Sequence, residues 1–396
     1  MSACVLTPSF APLCLCGRHH STTFVFLQGK TIGWTRHKPE CNPQFGASVE
    51  SVVQFTGPRR VEIARQERQS LPGGHLRVRT RYSGISAGTE LTAYRGTNAY
   101  LTRSWDAEAR LFRDGAPGID YPVVGWGYSE VGEVTEISPE LVGTPGLPAV
   151  GDLVWGIWGH RSEGIVPAER LVGHALPAGL DALAGSFARV GAIAHNAVLA
   201  ADLHLGEDVA VFGQGVIGLL TTRLAHLSGA RVTAVDTLDG RLETARKHGA
   251  ETTLNARAGG VAERVRETTG GLGADVAIEI SGAYPALHEA LRSVAAGGRV
   301  VASGFYQGDG AGLRLGDEFH HNRVQLVCSQ IGGVPPQLSG RWTVERLQRT
   351  FLRLVAEGKV DVQSLVSHVV SVADAADAYV LLDERPEDAL QIVLEF

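Results

Sequence analysis

The chain has 396 residues, a formal net charge of −6 and five cysteines. This length exceeds what a single compact core supports, and it predicts two domains. No basic block is present to neutralise phosphates and no apolar run reaches the length of a membrane span, which excludes nucleic-acid and membrane partners. Four of the cysteines lie near the start and one, Cys328, in the main body, so we expect a cytoplasmic protein without a disulfide framework.

The first 46 residues show no sustained hydrophobic period. No positive charge precedes Arg18, which argues against a signal peptide. Cys14-x-Cys16, followed by two histidines, is a candidate metal clip, but no second pair has zinc-site spacing. We expect a flexible leader over 1–46, or a start codon assigned too early.

From Ser48 onwards, short runs of β-branched and alternating residues are separated by glycine turns. These runs are "SVVQFTG", "HLRVRTRYSGIS", "YPVVGWGYSEVGEV" and "GDLVWGIWG". They predict an all-β domain that begins at residue 47 and continues to 186. A polar insert between Thr97 and Tyr121 interrupts this domain and is expected to be partly helical.

After Ala182 the pattern changes to alternating strands and helices. A helical segment, "DALAGSFARVGAIAHNAVLAADL", precedes the strands "DVAVFG", "RVTAVD", "DVAIEIS" and "RVVASG", which have helical segments between them. This alternation predicts a parallel, doubly wound sheet over 187–342. The last residues, 343–396, are predicted to return to the β domain as strand, helix and strand.

The segment "VAVFGQGVIGLL" carries Gly213-x-Gly215-x-x-Gly218 between an apolar strand and an apolar helix. Such glycines allow a sharp turn, close approach of the backbone to a pyrophosphate and tight packing of helix on strand. The helix N-terminus, at Val216 and Ile217, offers free N–H groups to phosphates. The pattern predicts a dinucleotide site.

The strand that follows ends at Asp236. An acidic side chain there binds ribose hydroxyls and repels a 2′-phosphate, which favours NAD over NADP as the cofactor. Arg241, one turn into the next helix, is able to weaken that preference. The alternative is a glycine-rich turn and a surface aspartate with no ligand.

These segments, together with "GARVTAVDTLDGRLETARKHGAE" and "GADVAIEISG", resemble the medium-chain dehydrogenase/reductase family over nearly the whole chain after the leader. The resemblance implies an α/β fold with a distorted β-barrel (GroES-like) catalytic domain, a Rossmann domain and an active site in the cleft. It also places Ser281, Ser303 and Gly304 along the cofactor, and Gln391 where a basic residue often touches the pyrophosphate. The strand near 324–329 implies a homodimer.

Zinc-dependent members of this family carry three metal ligands. The matching positions here are Ser86 in "SGISAGTE", Tyr128 in "GYSEVGEV" and Ala192 in "RVGAIAHN". Zinc prefers thiolates and imidazoles to hydroxyl groups, so we expect no catalytic zinc; the four-cysteine structural loop is missing as well. The two short motifs are most similar to a zinc-free branch that includes bacteriochlorophyllide a dehydrogenase.

Without zinc, a protein group must supply the proton that controls charge on the substrate oxygen. Tyr128 is the first candidate for this proton donor. The alternative is that Tyr128 is an aromatic side chain packed on a strand, with no role in the chemistry. His195 titrates nearest neutral pH, although a lone histidine in an alanine-rich helix is more often structural. Glu90 either holds an active-site group or caps a turn, and Ser86 either relays a proton or fills the old ligand position.

The sequence therefore predicts a zinc-independent, NAD-dependent oxidoreductase that moves hydride between nicotinamide and a secondary alcohol or ketone of a small molecule. Three alternatives stay open. They are an NADPH-dependent quinone or enoyl reductase, which Asp236 argues against, an epimerase that oxidises and re-reduces one substrate with bound NAD, and a non-catalytic nucleotide-binding protein. The insert between Asn98 and Asp120 is expected to shape the substrate cleft.

Overall fold

The structure, a computed structural model, describes residues 49–396. The predictions made for the leader, 1–46, including its Cys14-x-Cys16 pair, lie outside the described residues. The described part belongs to one compact unit, Gly46–Phe396. The division of this part into a catalytic domain (47–186 with 343–396) and a cofactor domain (187–342) therefore stays a prediction.

The strands are numbered in chain order. They are β1 (Val49–Gly57), β2 (Arg60–Glu67), β3 (His75–Gly84), β4 (Arg103–Asp106), β5 (Leu111–Asp114), β6 (Val123–Val124), β7 (Glu130–Ile137), β8 (Leu153–Gly156), β9 (Glu163–Pro167), β10 (Asp208–Phe212), β11 (Arg231–Asp236), β12 (Thr252–Asn255), β13 (Ala274–Glu279), β14 (Val294–Ala302), β15 (Gln325–Cys328), β16 (Val366–Ser371) and β17 (Gln391–Glu395).

The α-helices are numbered in the same way, and short 3₁₀ turns lie between some of them. The helices are α1 (Glu90–Arg95), α2 (Ala182–Gly185), α3 (Ala188–Ala201), α4 (Val216–Leu227), α5 (Asp239–Lys247), α6 (Val261–Thr268), α7 (Tyr284–Ser293), α8 (Val344–Ala356) and α9 (Ala375–Glu384). In residues 49–396 we find no helix with the length and apolar character that crossing a bilayer requires.

A six-stranded parallel sheet has the order β12-β11-β10-β13-β14-β15. Its central strand β10 is buried on both faces, because Val209 and Val211 pack with helices α3 and α4, whereas Ala210 and Phe212 pack with α6 and α7. The strand order reverses between β10 and β13. In sheets of this kind ligands bind at the carboxyl ends of the strands beside that reversal.

A second six-stranded sheet has the order β16-β17-β3-β7-β8, with β9 also paired to β3, and a smaller sheet has the order β2-β1-β6. Pairing is antiparallel except between β16 and β17. The C-terminal strand β17 lies beside β3, with Leu394 opposite Ser83. This pairing places the start of β17 next to the loop that leaves β3. The predicted α/β fold class is confirmed.

The insert differs from its prediction. Apart from one 3₁₀ turn, Ala99–Leu101, its regular structure is the hairpin of β4 and β5. Trp105 and Phe112 face each other across the hairpin with ring centroids 5.2 Å apart. Cross-strand aromatic pairs stabilise hairpins, which explains the preference for strands over a helix here.

Candidate active site

A cavity of about 780 Å³ lies at the carboxyl ends of the parallel strands. Phe212, Asp236 and Ile280 line it at the ends of β10, β11 and β13. The facing wall includes Ser86, from the loop after β3, and Tyr128, which precedes β7. The cavity therefore lies between the strand-order reversal of the parallel sheet and the two motifs that match zinc-ligand positions in the resembled family.

The glycine turn at the start of α4 forms one end of the cavity. A Cβ on Gly218 would lie 1.8 Å from the carbonyl oxygen of Gly213, so packing within the protein requires glycine at position 218. A Cβ on Gly215 would approach nothing closer than Arg241 Nη1, at 4.0 Å. The absence of a side chain at Gly215 therefore leaves space that a ligand can occupy and that no neighbouring protein atom fills.

The N-terminus of α4 adds donors to this end of the cavity. Val216 and Ile217 line the pocket, and no side chain caps the helix. Uncapped N–H groups and the positive end of the helix dipole suit a phosphate. The residues present therefore fit the pyrophosphate of a dinucleotide.

Asp236 is held rigidly at the cavity wall. One carboxylate oxygen accepts a hydrogen bond from the backbone N–H of Gln214 at 2.6 Å, and the other accepts from the two N–H groups that follow Asp236. Arg241 also lines the cavity, but its Nη2 donates to the carbonyl of Pro386 at 2.8 Å. An incoming 2′-phosphate would therefore meet a fixed carboxylate beside a guanidinium whose Nη2 is engaged and whose buried Nε has no partner among the described residues.

Ser281 lines the cavity and donates its hydroxyl to the buried Glu279. Ser303 and Gly304 are not brought to the lining. The Ser303 hydroxyl is 2.5 Å from that of Ser329, and a Cβ on Gly304 would lie 2.3 Å from the backbone nitrogen of Gly282. Both residues contact neighbouring loops, and their expected place along the cofactor stays a prediction.

Tyr128 and Ser86 meet inside the cavity, where their hydroxyl groups are hydrogen-bonded to each other. Burial raises the pKa of Tyr128; the Ser86 hydroxyl and the charge of Arg189 lower it, and the Glu90 carboxylate raises it further, so the net shift is upward. A phenol with a raised pKa keeps its proton at neutral pH. Tyr128 is therefore available as a hydrogen-bond donor to a ligand oxygen.

Glu90 does not reach the cavity. Its Oε1 accepts from the backbone N–H of Ser86 at 2.9 Å, and the Ser86 hydroxyl accepts from the N–H of Thr89 at 3.3 Å. These reciprocal bonds form a capping arrangement at the start of α1. Glu90 thus supports the turn that presents Ser86, which is the alternative that the sequence left open.

A buried polar network that sequence reasoning did not predict lies behind this turn. Glu90 Oε2 accepts from the Tyr379 hydroxyl at 2.5 Å and lies 2.8 Å from His160 Nε2. His160 Nδ1 lies 2.5 Å from the hydroxyl of Ser83, which donates to Glu130 at 3.0 Å. Because the Ser83 proton goes to Glu130, the Ser83 oxygen accepts from His160, and the imidazole donates at both nitrogens.

The charges in this network are consistent with that pattern. Burial alone lowers the pKa of His160, but the charge and hydrogen bond of Glu90, together with the charge of Glu130, raise it above its usual value. Burial also raises the pKa of Glu130. His160 is 70 residues from Glu90 along the chain, so no local spacing links them. The signal in the sequence is a single histidine in "WGIWGHRSEG".

His195 lies apart from the cavity lining. Its ring packs edge-on against Trp342 with a centroid separation of 5.0 Å, and its Nδ1 is buried without a hydrogen-bond partner among the described residues. Burial lowers the pKa of His195 to about 4. The structure therefore does not bring His195 together with Tyr128, because the helix α3 turns it towards the segment before α8.

The cavity offers zinc a poor set of ligands. Ser86 and Tyr128 present a hydroxyl and a phenol, and Ala192 is fully buried with no donor atom. Within residues 49–396, no group of three or more His, Cys, Asp and Glu side chains is arranged to hold a metal ion. The side chains at these positions do not fit the thiolate, imidazole or carboxylate coordination that zinc prefers.

Comparison with known proteins connects this fold and cavity to a family. Residues 216–345 match the family "Zinc-binding dehydrogenase". The chain is 28% identical to D-guloside 3-dehydrogenase of Escherichia coli (strain K12) over 349 residues, which are 86% of this chain and 98% of that protein. It is 35% identical to an alcohol dehydrogenase of Cupriavidus necator over 202 residues, 49% of this chain and 51% of that one.

Among solved structures, 2R,3R-butanediol dehydrogenase from Bacillus subtilis aligns with a TM-score of 0.70 at 21% identity, covering 88% of this chain and 99% of that one. At this identity the likeness is one of fold. The parallel sheet, its glycine turn and the adjoining mixed sheet give the chain the α/β architecture of this dehydrogenase. The sequence matches make the chain similar to zinc-type alcohol dehydrogenases, over residues 216–345 for the family and over most of its length for the guloside dehydrogenase.

Proposed function

We propose that this protein is a zinc-independent, NAD-dependent oxidoreductase that acts on a secondary alcohol or the corresponding ketone of a small molecule. The observation that carries the proposal is the hydrogen-bonded pair of Tyr128 and Ser86 inside the cavity that the glycine turn bounds. It puts a protonated phenol where the superfamily resemblance places a metal ligand. The names of the relatives, a guloside dehydrogenase and an alcohol dehydrogenase, support a hydroxylated substrate.

The residues of this chain have distinct roles in the proposal. The glycine turn and the N-terminus of α4 would hold the pyrophosphate, and Asp236 would accept from the adenosine ribose. When bound, the nicotinamide supplies or accepts the hydride at the carbon that bears the substrate oxygen.

Tyr128 donates a hydrogen bond to that oxygen. In ketone reduction the phenolic proton passes to the substrate oxygen, and Tyr128 regains a proton from solvent water through Ser86, whose hydroxyl takes up one proton as it gives up another. In alcohol oxidation the same proton moves in the opposite direction.

The preference for NAD follows from charge at the adenosine end. Asp236 is fixed by backbone donors, and Arg241 is engaged with the Pro386 carbonyl, so the 2′-phosphate of NADP would add a negative charge beside an anion. Coulomb repulsion at such distances is worth on the order of 1 kcal/mol or more in a partly solvated site. This weighs against the NADPH-dependent quinone or enoyl reductase alternative.

The decisive experiment combines three measurements on the purified full-length protein. Metal analysis should find less than stoichiometric zinc, titration should show tighter binding of NAD than of NADP, and glycosides, polyols and simple secondary alcohols should be tested for NADH formation. Stoichiometric zinc bound at Ser86 and Tyr128 would overturn the metal-free proposal. Absence of turnover with all alcohols and ketones would favour the non-catalytic alternative, and tightly copurified NAD with substrate epimerisation would favour the epimerase.

Three further parts of the proposal are independent of the chemistry. We propose a cytoplasmic homodimer that pairs through β15, which is the edge strand of the parallel sheet and leaves Leu326 exposed. We also propose the zinc-free branch that includes bacteriochlorophyllide a dehydrogenase, without inferring a tetrapyrrole substrate from it. Light scattering of the purified protein tests the dimer, and a monomer would contradict it.

A further inference from the structure

Gln391, the first residue of β17, is a buried side chain that lines the cavity and is 5% exposed. Its Nε2 donates to the carbonyl of Ile85 at 2.9 Å and to the carbonyl of Ile392 at 2.9 Å. A Cβ on Gly84 would lie 3.2 Å from this nitrogen, so the glycine makes room for the amide. The two carbonyl acceptors determine which end of the amide is nitrogen.

The other end of the amide is its carbonyl oxygen, Oε1. It accepts no hydrogen bond from a residue in the described range 49–396. Oε1 is not completely buried, and Gln391 lines the cavity. The oxygen is therefore open to the cavity. A fixed acceptor in a buried wall with no donor from the protein is suited to a donor from a ligand.

This acceptor lies near the hydroxyl groups of Ser86 and Tyr128, which handle the substrate oxygen in the proposed reaction. Ile85, whose carbonyl holds the amide, directly precedes Ser86, the partner of Tyr128. Gln391 therefore belongs to the same end of the cavity as the phenol.

The surrounding charge narrows the kind of donor. Of the cations that line the cavity, Arg95 is paired with Asp383 at 2.5 Å and Arg241 donates to the carbonyl of Pro386 at 2.8 Å. The side chains with polar atoms nearest the reacting end, Ser86 and Tyr128, are neutral. The amide carbonyl oxygen of Gln391 is an acceptor only, so it repels carboxylate and phosphate oxygens and accepts from O–H groups.

We propose that the carbonyl oxygen of Gln391 is a specificity-determining acceptor for a neutral hydroxyl group that lies beside the reacting oxygen. The inference rests on the proposed dehydrogenase function and narrows its ligand chemistry. Two sources present such a hydroxyl, the nicotinamide ribose of the cofactor and a second hydroxyl of a polyhydroxy substrate. Both require the same acceptor, and the two are separable by experiment.

The test uses Gln391→Met, which keeps the length of the side chain and removes both polar atoms. Its matched control is Gln348→Met, since Gln348 is a comparably buried glutamine on α8 that does not line the cavity. For both variants and the wild type, thermal unfolding reports folding, calorimetric titration with NAD reports cofactor binding, and KM is compared for a vicinal diol and for the matching mono-alcohol.

A lost hydrogen bond of ordinary strength corresponds to weakening of about 3- to 10-fold. If the cofactor ribose is the donor, Gln391→Met binds NAD weaker by this factor in the absence of substrate, and Gln348→Met does not. If the substrate is the donor, NAD binding is unchanged and KM rises for the diol but not for the mono-alcohol. Either result supports the proposal and identifies the source.

The proposal is overturned if a folded Gln391→Met protein matches the wild type in both NAD affinity and the diol to mono-alcohol ratio. If the variant does not fold, deoxy analogues of NAD that lack one hydroxyl of the nicotinamide ribose and O-methyl ethers of the diol are tested on the wild type. Equal binding of analogues and parent compounds then refutes the acceptor role. A wild type that binds NAD but turns over no alcohol would refute the proposed function and leave the NAD titration readable.

Discussion

The second and third glycines of the turn, Gly215 and Gly218, respond differently to the same substitution. At Gly218 an added methyl would lie 1.8 Å from the carbonyl oxygen of Gly213, a contact that backbone movement alone relieves. We expect Gly218→Ala to lower the free energy of unfolding by about 3 kcal/mol or more. At Gly215 the nearest atom is Arg241 Nη1 at 4.0 Å and φ is −69°, so alanine fits without strain.

Gly215→Ala should therefore leave the fold nearly unchanged, with at most about 1 kcal/mol lost from the preference for glycine over alanine before a helix. The methyl group nevertheless occupies the space where a pyrophosphate approaches the N-terminus of α4. Losing one charge-assisted hydrogen bond to a phosphate costs about 1.5–3 kcal/mol, which corresponds to about 10- to 100-fold weaker binding of NAD.

The assay is chemical denaturation for stability and fluorescence or calorimetric titration with NAD for binding. Gly240→Ala serves as the matched control, because Gly240 lies in α5, has no atom within 4 Å of an added Cβ and does not line the cavity. If folded Gly215→Ala protein binds NAD as tightly as the wild type and the Gly240→Ala control, the turn does not hold the pyrophosphate, and the cofactor assignment made here is wrong.

Three further predictions concern single side chains. Tyr128→Phe should lower kcat about 10²- to 10⁴-fold in steady-state assays with NAD binding unchanged, because the proton donor is lost. His195→Gln should leave kcat near the wild-type value. Equal effects of the two substitutions on kcat would contradict the assignment of Tyr128 as the proton donor. Asp236→Asn should reduce the preference for NAD over NADP about 10-fold in paired titrations, and an unchanged ratio would remove Asp236 from the adenosine site. His160→Gln should lose about 3 kcal/mol of stability near roughly pH 6, because Glu90 remains buried without its partner. The pKa of His160 is raised above 6.5 in the folded protein. The stability that its charge contributes is therefore complete below pH 6.5 and is lost as the pH rises through the pKa of the folded protein. If denaturation curves show that the stability lost in His160→Gln grows with pH, the ion pair is refuted.

Much of the fold is readable from local pattern. The change from alternating residues to strand and helix units identified the parallel sheet, and the glycine spacing after β10 indicated its ligand-binding end. The position of Tyr128 beside Ser86 followed from the superfamily resemblance and not from periodicity. The structure adds the hydrogen bond between the two hydroxyl groups.

Contacts between distant segments were not predictable in the same way. His160 meets Glu90 because β9 and β3 are neighbours, and no spacing in the sequence encodes that pairing. His195 is a candidate from the sequence because histidine titrates near neutral pH, but the orientation of a residue on α3 depends on how the helix packs. The same packing lowers the pKa of His195 and removes it from the cavity wall.

The proton donor and the apolar wall of the cavity depend on each other. Ile85, Leu91 and Val190 line the cavity with Tyr128, and burial is the largest cause of the raised pKa of Tyr128. A site whose reacting end offers no suitable zinc ligands needs a donor that stays protonated, and a phenol stays protonated more firmly as water is excluded. Polar substitutions in this wall would thus bring the pKa of Tyr128 back towards 10 and weaken control of the substrate oxygen, even though no residue that contacts it had changed.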